Sequence, residues 1–442
     1  MTRSTTTGAA GRLRRILGVG FGLAVTVGST IGVGILRSPG GVAAQLQVPS
    51  TILVVWLLGG VYTLLGAVCL TELGTMAPQA GGYYVYARRA FGDWVGFAVG
   101  WTDWITYCAV LGYVSIGMAE FVGQLVPAVA GVVRPAAIAV LVGLVVLQWA
   151  GLRVSSWFQE WTTALKCVAF LALIIAGLVM SGTGAPEPRA PAIPAAGGWI
   201  AALQLVVITY AGWQSALYFT EEDRDTTRNL PRAMVGGVLA VIVIYVLVNV
   251  ALLAILPMAE LAGSTLPASK AAERLLGGVG GQLITLLSVV SLAPLLNAIM
   301  MIGTRILFAM GRDRLLWSRA AEVNAGGTPG IATLVTTIVA VVLIATGTFQ
   351  QLVAIASFFL ALNYAISCVA LVVLRVREPA TARPFRAWAY PWSAGIVVAG
   401  ALVFLVSALA ADTPTALVAV AVLGVGMIGF AVSRGRKDLS KT

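Results

Sequence analysis

The sequence predicts an all-α membrane protein with twelve transmembrane helices, ten of which form two five-helix repeats of opposite orientation. Hydrophobic residues make up 59% of the 442 residues and charged residues only 10%, whereas a soluble domain carries about 25% charge. Twelve apolar stretches come close to the roughly 20 residues that cross a hydrocarbon core. The basic residues are also divided unequally between the segments that join these stretches.

The twelve predicted spans cover the chain and leave no stretch long enough for a soluble domain, which needs at least about 50 residues. We therefore expect a single transmembrane domain over residues 1–442. The third, fifth and eighth spans should be longer than the ranges given below, because apolar sequence continues beyond the ends of these ranges. The spans lie at residues 16–36, 50–71, 94–117, 136–152, 162–181, 199–219, 235–256, 281–302, 331–347, 352–374, 392–411 and 414–432.

The basic residues predict the orientation of the chain. If the N-terminus is cytoplasmic, 22 of the 28 lysines and arginines lie in cytoplasmic segments, 5 lie in outer segments and Lys166 lies within a span. Cytoplasmic loops carry such an excess of positive charge, so both termini should be cytoplasmic. The net charge of +11 is thus explained by topology rather than by a nucleic-acid surface. The first stretch is too long for the apolar region of a cleaved signal peptide.

Residue types exclude several kinds of chemistry. The chain has no histidine, and its four cysteines lie scattered in or beside apolar spans without metal-ligand spacing. We therefore expect no metal and no cofactor. No nucleophile–base set is evident, which makes a membrane enzyme improbable. An ion channel remains an alternative, although channels need a continuous pore, often built by several subunits.

The order of the spans predicts an inverted repeat. Spans one to five (16–181) begin inside and spans six to ten (199–374) begin outside, so the two sets have opposite orientation. A Pro-, Gly- and Ala-rich connection at 181–198 separates them. The last two helices (392–432) lie outside the repeat.

The first span contains a glycine-rich patch at residues 28–34 (GSTIGVG). Gly, Ser, Thr and β-branched residues have low helix propensity, so the span should unwind here. N–H groups freed beside a half-helix N-terminus form a site for a carboxylate. A close helix–helix contact is the alternative, because Gly28 and Gly32 have Gly-x-x-x-Gly spacing.

The sixth span contains a second interruption at residues 209–213 (TYAGW), where Tyr210 and Trp213 flank Ala211 and Gly212. Its freed carbonyls would suit an ammonium group, and the two aromatic rings are candidate walls of a side-chain pocket. An aromatic belt at the interface is the alternative, which the mid-span position disfavours. Two interrupted spans at matching places in two repeats predict a transport site near the bilayer midplane.

Several polar residues at membrane depth are further candidates. Lys166 has three alternative roles. It titrates during a transport cycle, its ammonium group replaces a bound sodium ion, or its side chain extends to the membrane interface. Asp103 is a second ionisable candidate. It would lie in the pocket, lie near a water-filled vestibule, or form a structural pair with another residue. Tyr107 lies one helical turn from Asp103, and Asn297 lies in span eight; both are candidates for polar groups of the pocket.

Three connections also carry predictions. Residues 72–92 should include a short interfacial helix with aromatic rings at headgroup depth. Residues 257–278 suggest either a lid over the outer vestibule or a plain amphipathic connector. The acidic cluster at 221–225 is either a gate that pairs with Arg88 or Arg312, or a solvated loop.

These motifs together resemble the amino acid–polyamine–organocation (APC) superfamily, and within it the bacterial permeases related to the L-type amino acid transporters. The resemblance extends over nearly the whole chain. The residues on which the resemblance rests are 28–35 with Ser38 and Pro39, 72–78 with 81–84, Lys166, 210–213 with 220–222, 229–232, and Arg305 with 311–313.

The resemblance implies the fold of the leucine transporter, in which spans one and six are discontinuous. It also implies that main-chain groups at the first break bind the substrate carboxylate and those at the second bind its amino group. A lysine at the Lys166 position is associated with sodium independence in such permeases. The substrate-binding residues implied are Ser29, Thr30, Ile31, Gly32, Ile208, Tyr210 and Ala211, with Trp213 near the outer gate.

We therefore expect a sodium-independent amino acid transporter of the bacterial inner membrane that works by alternating access, either as an exchanger or with protons. Small or neutral L-amino acids are favoured, because neither break contains an anionic side chain. A cationic amino acid or polyamine exchanger is the alternative, in which Asp103 or Glu120 would supply negative charge. Amino acid, protons and membrane lipid are the expected partners, without nucleic acid and without an obligatory protein partner.

Overall fold

The computed structural model describes residues 13–32, 34–180, 196–324, 326–411 and 413–439. Over these residues the fold is helical, with two isolated β-bridges and no strand, so the predicted all-α class is confirmed. The helices are α1 (Val19–Thr30), α2 (Gly34–Leu46), α3 (Pro49–Met76), α4 (Tyr83–Phe91), α5 (Asp93–Leu125), α6 (Pro127–Ala130), α7 (Val133–Trp149), α8 (Leu152–Met180), α9 (Ala196–Thr209), α10 (Thr226–Pro231), α11 (Gly237–Ile255), α12 (Met258–Ala262), α13 (Pro267–Leu276), α14 (Gly278–Arg312), α15 (Gly330–Thr346), α16 (Phe349–Arg377), α17 (Trp392–Ala411) and α18 (Thr413–Leu439).

Judged by helix length, the structure contains fewer membrane spans than the sequence predicts. Within the described ranges, nine helical segments are long and apolar enough to cross a membrane, and the bent pair of α1 and α2 makes ten. The fourth and ninth predicted spans correspond to α7 and α15, which are apolar but only 17 residues long. The count of twelve and the inverted repeat stay predictions. As expected, α5, α8 and α14 are long, with 33, 29 and 35 residues.

The first predicted span is broken at its glycine-rich patch. The N–H of Ile31 still donates to the Val27 carbonyl (2.9 Å), and α1 unwinds beyond this bond. The next helix, α2, begins at Gly34 with an angle of 43° to α1. Low helix propensity in this patch explains why the chain breaks here rather than elsewhere in the span.

The second interruption lies where α9 ends at Thr209. Residues 210–212 form a turn in which Gly212 has φ +116°, a backbone conformation that favours glycine. A 3-10 segment, Trp213–Phe219, follows. Seven residues is long for a 3-10 helix, and such stretches within a helix often mark a functional hinge.

The two breaks lie between two buried apolar clusters. One cluster is built mainly from α4, α5, α14, α16 and the 3-10 segment, and the other from α2, α9, α11 and α13. Val25 and Trp213 belong to the first cluster, whereas Val27 and Tyr210 belong to the second. Each interrupted segment therefore packs against both clusters close to its break.

The end of the bundle that carries α4 and α10 is rich in arginine, and we call it the arginine end. The helix α4 was expected at headgroup depth, but the rings of Tyr83, Tyr84 and Tyr86 are buried inside the protein. The predicted short helix is therefore present, and its aromatic residues fill the interior between α4, α5 and α16, while its depth in the membrane stays a prediction.

A buried carboxylate holds several elements together at the arginine end. Glu72, near the end of α3, accepts hydrogen bonds from Arg375 of α16 (2.8 Å) and from the Ala387 N–H (2.7 Å). It also forms an ion pair with Arg383 (3.2 Å). Two guanidinium groups therefore compensate the buried carboxylate of Glu72.

The opposite end contains a cavity of about 680 Å³, and we call it the cavity end. Arg37, Gly41, Phe121, Gln124 and residues 262–266 line it. The helices α12 and α13 pack on α2 beside this cavity, so the lid and the connector interpretations both stay predictions. Residues 181–195 of the predicted long connection lie outside the described residues.

Candidate functional site

The two breaks touch each other at the centre of the bundle. A Cβ atom on Gly212 would lie 2.4 Å from the Ser29 carbonyl oxygen, and one on Gly34 would lie 3.1 Å from Thr209 Cγ2. A side chain at position 212 would therefore force the two backbones apart. The juxtaposition brings the main-chain groups freed at both breaks into one place.

Tyr245 connects the two breaks and was not identified from the sequence. Its hydroxyl lies 2.7 Å from the Thr30 carbonyl and 3.1 Å from the Thr209 carbonyl, and the residue is fully buried. The sequence does contain a sign of this role, because Tyr245 and Asn249 are the polar side chains of the otherwise apolar helix α11.

Several main-chain groups at the breaks have no hydrogen-bond partner among the described residues. Four of them are the N–H groups of Gly32 and Gly34 and the carbonyls of Tyr210 and Ala211. Gly32 and Tyr210 are buried, and Gly34 and Ala211 are half-buried. Buried backbone groups are nearly always paired, so these four mark a place for a bound polar molecule. We call this set the niche.

The other residues predicted at the first break have different roles in the structure. The Ser29 hydroxyl is buried without a partner, which suits a site residue. The Thr30 hydroxyl donates back to the Thr26 carbonyl in its own helix (2.7 Å). Ile31 has its N–H bonded to the Val27 carbonyl and its carbonyl bonded to Lys166. Ser29 and Gly32 are thus better placed than Thr30 and Ile31 to contact a ligand.

Lys166 binds the end of α1 directly. Its ammonium group donates to the carbonyls of Gly28 (2.8 Å) and Ile31 (2.6 Å), and the side chain is fully buried. It therefore does not extend to the interface. A positive charge at the C-terminus of a helix is favourable for the helix dipole. The ammonium thus satisfies two carbonyls at the end of α1.

Gly28 and Gly32 differ in their packing. A Cβ on Gly28 would lie 2.4 Å from Thr163 Oγ1 and 2.7 Å from Gln159 Nε2, both on α8, whereas one on Gly32 would lie 3.5 Å from Leu295. The close-contact interpretation therefore holds for Gly28, where α1 touches α8. Gly32 stands at the open break.

The side chains at the second break mostly point away from the niche. Tyr210 donates to the Trp56 carbonyl (3.2 Å) and packs on Trp56, while Trp213 packs on Tyr364 at 5.4 Å. Ile208 is 41% exposed, and its carbonyl accepts from the Ala211 N–H (3.0 Å). Tyr210 is therefore not a pocket wall here, and the Ile208 carbonyl is already used within the turn.

Asn297 does not line the niche in this structure. Its carboxamide accepts from Gln148 (2.8 Å) and donates to Gln159 (3.0 Å) and to the Ser155 carbonyl (3.1 Å). The sequence could not show that this face of α14 packs against α7 and α8. Asn297 instead joins the polar contact between α14, α8 and α1, since Gln159 also donates to the Ala24 carbonyl (3.3 Å).

Asp103 and Tyr107 belong to a buried cluster next to the 3-10 segment. The Tyr218 hydroxyl donates to Asp103 (2.8 Å), and the ring of Tyr218 contacts that of Tyr107 at 5.4 Å. Gln214 accepts from the Gly212 N–H (3.1 Å) and lies 3.4 Å from the Tyr107 hydroxyl. Asp103 is thus connected to the second break through the 3-10 segment rather than exposed to the niche.

Ion pairs close the arginine end. Glu222 is fully buried and bonds both carboxylate oxygens to Arg305 (2.9 and 3.0 Å), and Glu221 pairs with Arg312 (2.6 Å). The contact predicted between the acidic cluster and Arg312 is therefore present. Asp225 lies at the surface, where hydrogen bonding from Thr227 lowers the pKa of its carboxyl.

Arg88 does not contact the acidic cluster. It pairs instead with Asp93 (2.8 Å) and Asp313 (2.7 Å), which fixes α4 to the start of α5 and the end of α14.

Comparison with known proteins adds independent information. The family model described as "Amino acid permease" matches residues 22–430. The serine/threonine exchanger SteT of Bacillus subtilis (strain 168) is 29% identical over 434 residues, which cover 96% of this chain and 97% of the relative. The b(0,+)-type amino acid transporter 1 of Mus musculus is 29% identical over 386 residues (85% and 79%). The Asc-type amino acid transporter 1 of Mus musculus is 29% identical over 389 residues (85% and 73%).

Proposed function

Because the chain belongs to the amino acid permease family, we propose that it is a sodium-independent transporter of small neutral L-amino acids that works by alternating access. Family membership makes it a multi-pass membrane transporter rather than an enzyme. Its location would be a bacterial cell membrane, with both termini in the cytoplasm. Under that orientation the arginine end faces the cytoplasm and the cavity end faces outward.

The niche is the observation that carries this proposal. The free N–H groups of Gly32 and Gly34 suit a carboxylate, and the free carbonyls of Tyr210 and Ala211 suit an ammonium group. An amino acid zwitterion presents both groups on one carbon atom. Main-chain recognition of these two groups alone would leave the side chain to be selected by size and polarity.

The surroundings of the niche favour a small neutral side chain. The described residues place no acidic side chain against the four niche groups, and the Asp103 carboxylate is bonded to Tyr218 instead. The relative SteT is by name a serine/threonine exchanger, which is in line with a small substrate. We propose exchange as the basic mode, with net uptake driven by protons.

Lys166 supports independence from sodium. Its ammonium group already satisfies the carbonyls of Gly28 and Ile31 with two charge-assisted hydrogen bonds. A sodium ion at the same carbonyls would face the repulsion of a buried positive charge only a few ångströms away. The position is thus occupied by the protein's own amino group.

The closed arginine end and the open cavity end support alternating access. Two ion pairs, Glu222–Arg305 and Glu221–Arg312, close one end, while the cavity beside Arg37 leaves the other accessible. Opening of the closed end would require the turn that follows the 3-10 segment to separate from α14, because the ion pairs link Glu221 and Glu222 of this turn to α14. The 3-10 segment is suited to this motion, since it has weaker hydrogen-bond geometry than an α-helix.

The test is uptake into proteoliposomes that contain the purified protein. Radiolabelled L-serine is supplied outside, and the lumen holds one unlabelled compound at a time from a panel of neutral, cationic and anionic amino acids and putrescine. We expect small neutral amino acids to accelerate uptake, with equal rates in sodium and choline buffers. Acceleration by cationic compounds alone would establish the cationic exchanger instead, and single-channel currents without competition by any amino acid would establish a channel.

A further inference from the structure

Three acidic side chains of the described residues are fully buried, and Asp103 differs from the other two. Glu72 pairs with Arg375 and Glu222 pairs with Arg305. Asp103 has no such partner within the described ranges. Its Oδ2 accepts from the Tyr218 hydroxyl at 2.8 Å, and its Oδ1 has no hydrogen-bond partner.

The other groups that face Asp103 do not compensate a negative charge. Apart from Tyr218, they are the phenols of Tyr107 on the same helix, Tyr83 of α4 and Tyr364 of α16. The buried lysine, Lys166, donates to carbonyls of α1. An ionised carboxylate without a counter-ion at membrane depth is costly, whereas the protonated acid is a small dipole. The closed structure therefore favours a proton on Asp103.

A polar strip leads from Asp103 towards the arginine end. Thr102, the neighbour of Asp103, donates to Asn363 of α16 (3.2 Å). The Asn363 amide nitrogen and the Ser367 hydroxyl, one turn further along α16, are both buried without partners. Buried polar atoms of this kind are usually satisfied by water. The strip between α5 and α16 therefore offers a hydrated route for a proton.

We propose that Asp103 is the proton-binding residue of the transport cycle, neutral while the arginine end is closed and ionised when that end opens. The O–H bond of the carboxylic acid breaks, its electron pair remains on the carboxylate, and the proton passes to water in the strip. A proton from the other side of the membrane restores the acid before the next closure. This inference rests on the proposed amino acid transport, and it assigns the coupling ion to a site separate from Lys166.

The 3-10 segment provides the link between this proton and the niche. Tyr218, which bonds Asp103, lies on the same short segment as Gln214, which bonds the Gly212 N–H at the second break. A rearrangement of the break on substrate binding or release therefore moves the hydroxyl that stabilises Asp103. Proton release and substrate release are therefore coupled through the same movement of the 3-10 segment.

The experiment measures protons and substrate together. Proteoliposomes with a pH-sensitive dye in the lumen receive radiolabelled L-serine, first under an inward proton gradient and then in counterflow without a gradient. In the parent protein we expect serine to enter with protons and to accumulate under the gradient. In Asp103→Asn, which keeps the shape of the protonated acid, gradient-driven accumulation and proton entry should disappear, while counterflow continues and no longer depends on pH.

Two further variants keep the test specific. Glu120→Gln removes an exposed acid from the far end of the same helix and should leave proton entry unchanged. Asp103→Glu should restore proton coupling with a shifted pH dependence, which a merely structural role would not produce. Proton entry with serine in Asp103→Asn, or its absence in the parent protein while counterflow persists, would overturn this inference. Loss of counterflow in the parent protein would instead refute the proposed amino acid transport.

Discussion

At the scale of the residue, Lys166 shows how one side chain can satisfy the free carbonyls at a break in a span. The end of α1 exposes carbonyls that cannot be paired within the helix, and lipid cannot solvate them. The ammonium of Lys166 satisfies two of these, from Gly28 and Ile31, and its charge opposes the negative end of the helix dipole. These two hydrogen bonds stabilise the break in span one.

We predict that Lys166→Ala slows transport by at least about tenfold while the protein still reaches the membrane. Each hydrogen bond from a charged group contributes about 1.5–3 kcal/mol, and about 1.4 kcal/mol corresponds to a factor of ten. The measurement is the initial rate of L-serine counterflow in proteoliposomes with matched protein content.

The matched control is Lys270→Ala, because Lys270 is an exposed lysine on α13 and should not affect transport. Unchanged rates in Lys166→Ala would remove this lysine from the mechanism.

Single residues could be predicted only where their chemistry is unusual for their position. A lysine within an apolar span is conspicuous, so the sequence identified Lys166. Tyr245 was missed because tyrosine is common in membrane helices and its role depends on two carbonyls far away in the sequence. Asn297 was assigned to the pocket because the sequence does not show which face of α14 meets α7 and α8.

At the scale of the element, a seam of polar contacts holds α1 against α8. Gln159 and Thr163 both donate to the Ala24 carbonyl, and Lys166 continues the same face of α8 one turn further along. The helices approach this closely because Gly28 has no side chain. The position of the first break relative to Lys166 is thus set by helix packing.

Gly28→Ala should lower stability, whereas Gly32→Ala should weaken binding. The added methyl of Gly28→Ala meets Thr163 Oγ1 at 2.4 Å, so α1 must shift, which typically costs about 1–3 kcal/mol. The methyl of Gly32→Ala has its nearest neighbour, Leu295, at 3.5 Å, so the fold should persist while the niche is obstructed. We therefore expect a lower melting temperature for the first and weaker L-serine binding at parental stability for the second.

The two variants control each other, since both replace a glycine of the same span with alanine. The measurements are thermal unfolding in detergent and the concentration dependence of counterflow. Equal melting temperatures, or parental affinity in Gly32→Ala, would contradict the assignment of these two glycines.

Most helices and both breaks could be predicted from the sequence, because apolar length and low helix propensity are local properties. The burial of the α4 rings could not be predicted. Its Tyr83, Tyr84 and Tyr86 suit a membrane interface equally well, and their burial follows from packing against α5 and α16. Burial between elements is a property of the assembled fold, which the sequence pattern of one element does not contain.

At the scale of the whole molecule, the two ends differ in how they are closed. The arginine end holds the buried pair Glu222–Arg305 and the partly exposed pair Glu221–Arg312. The cavity end has about 680 Å³ of open volume beside Arg37. A transporter that works by alternating access must be able to open its closed end and close its open end. We therefore expect the buried pair to stabilise the closed state of the arginine end.

We predict that Glu222→Gln favours opening of the arginine end. The substitution leaves Arg305 buried without its counter-charge, and breaking a buried pair in this way costs about 3–5 kcal/mol in the closed state. Opening lets water solvate the guanidinium and recovers part of this loss. A cysteine introduced as Gly18→Cys, at the edge of a small cavity at this end, reports the opening when the four native cysteines are replaced.

Labelling of this cysteine by a membrane-impermeant maleimide in inside-out vesicles should therefore be faster in Glu222→Gln than in the parent. The neighbouring variant Glu221→Gln is the control. Its carboxylate is 28% exposed, so water already screens the pair with Arg312, and its loss should change labelling far less. Equal labelling in all three proteins would show that the buried pair stabilises the fold without governing which end is open.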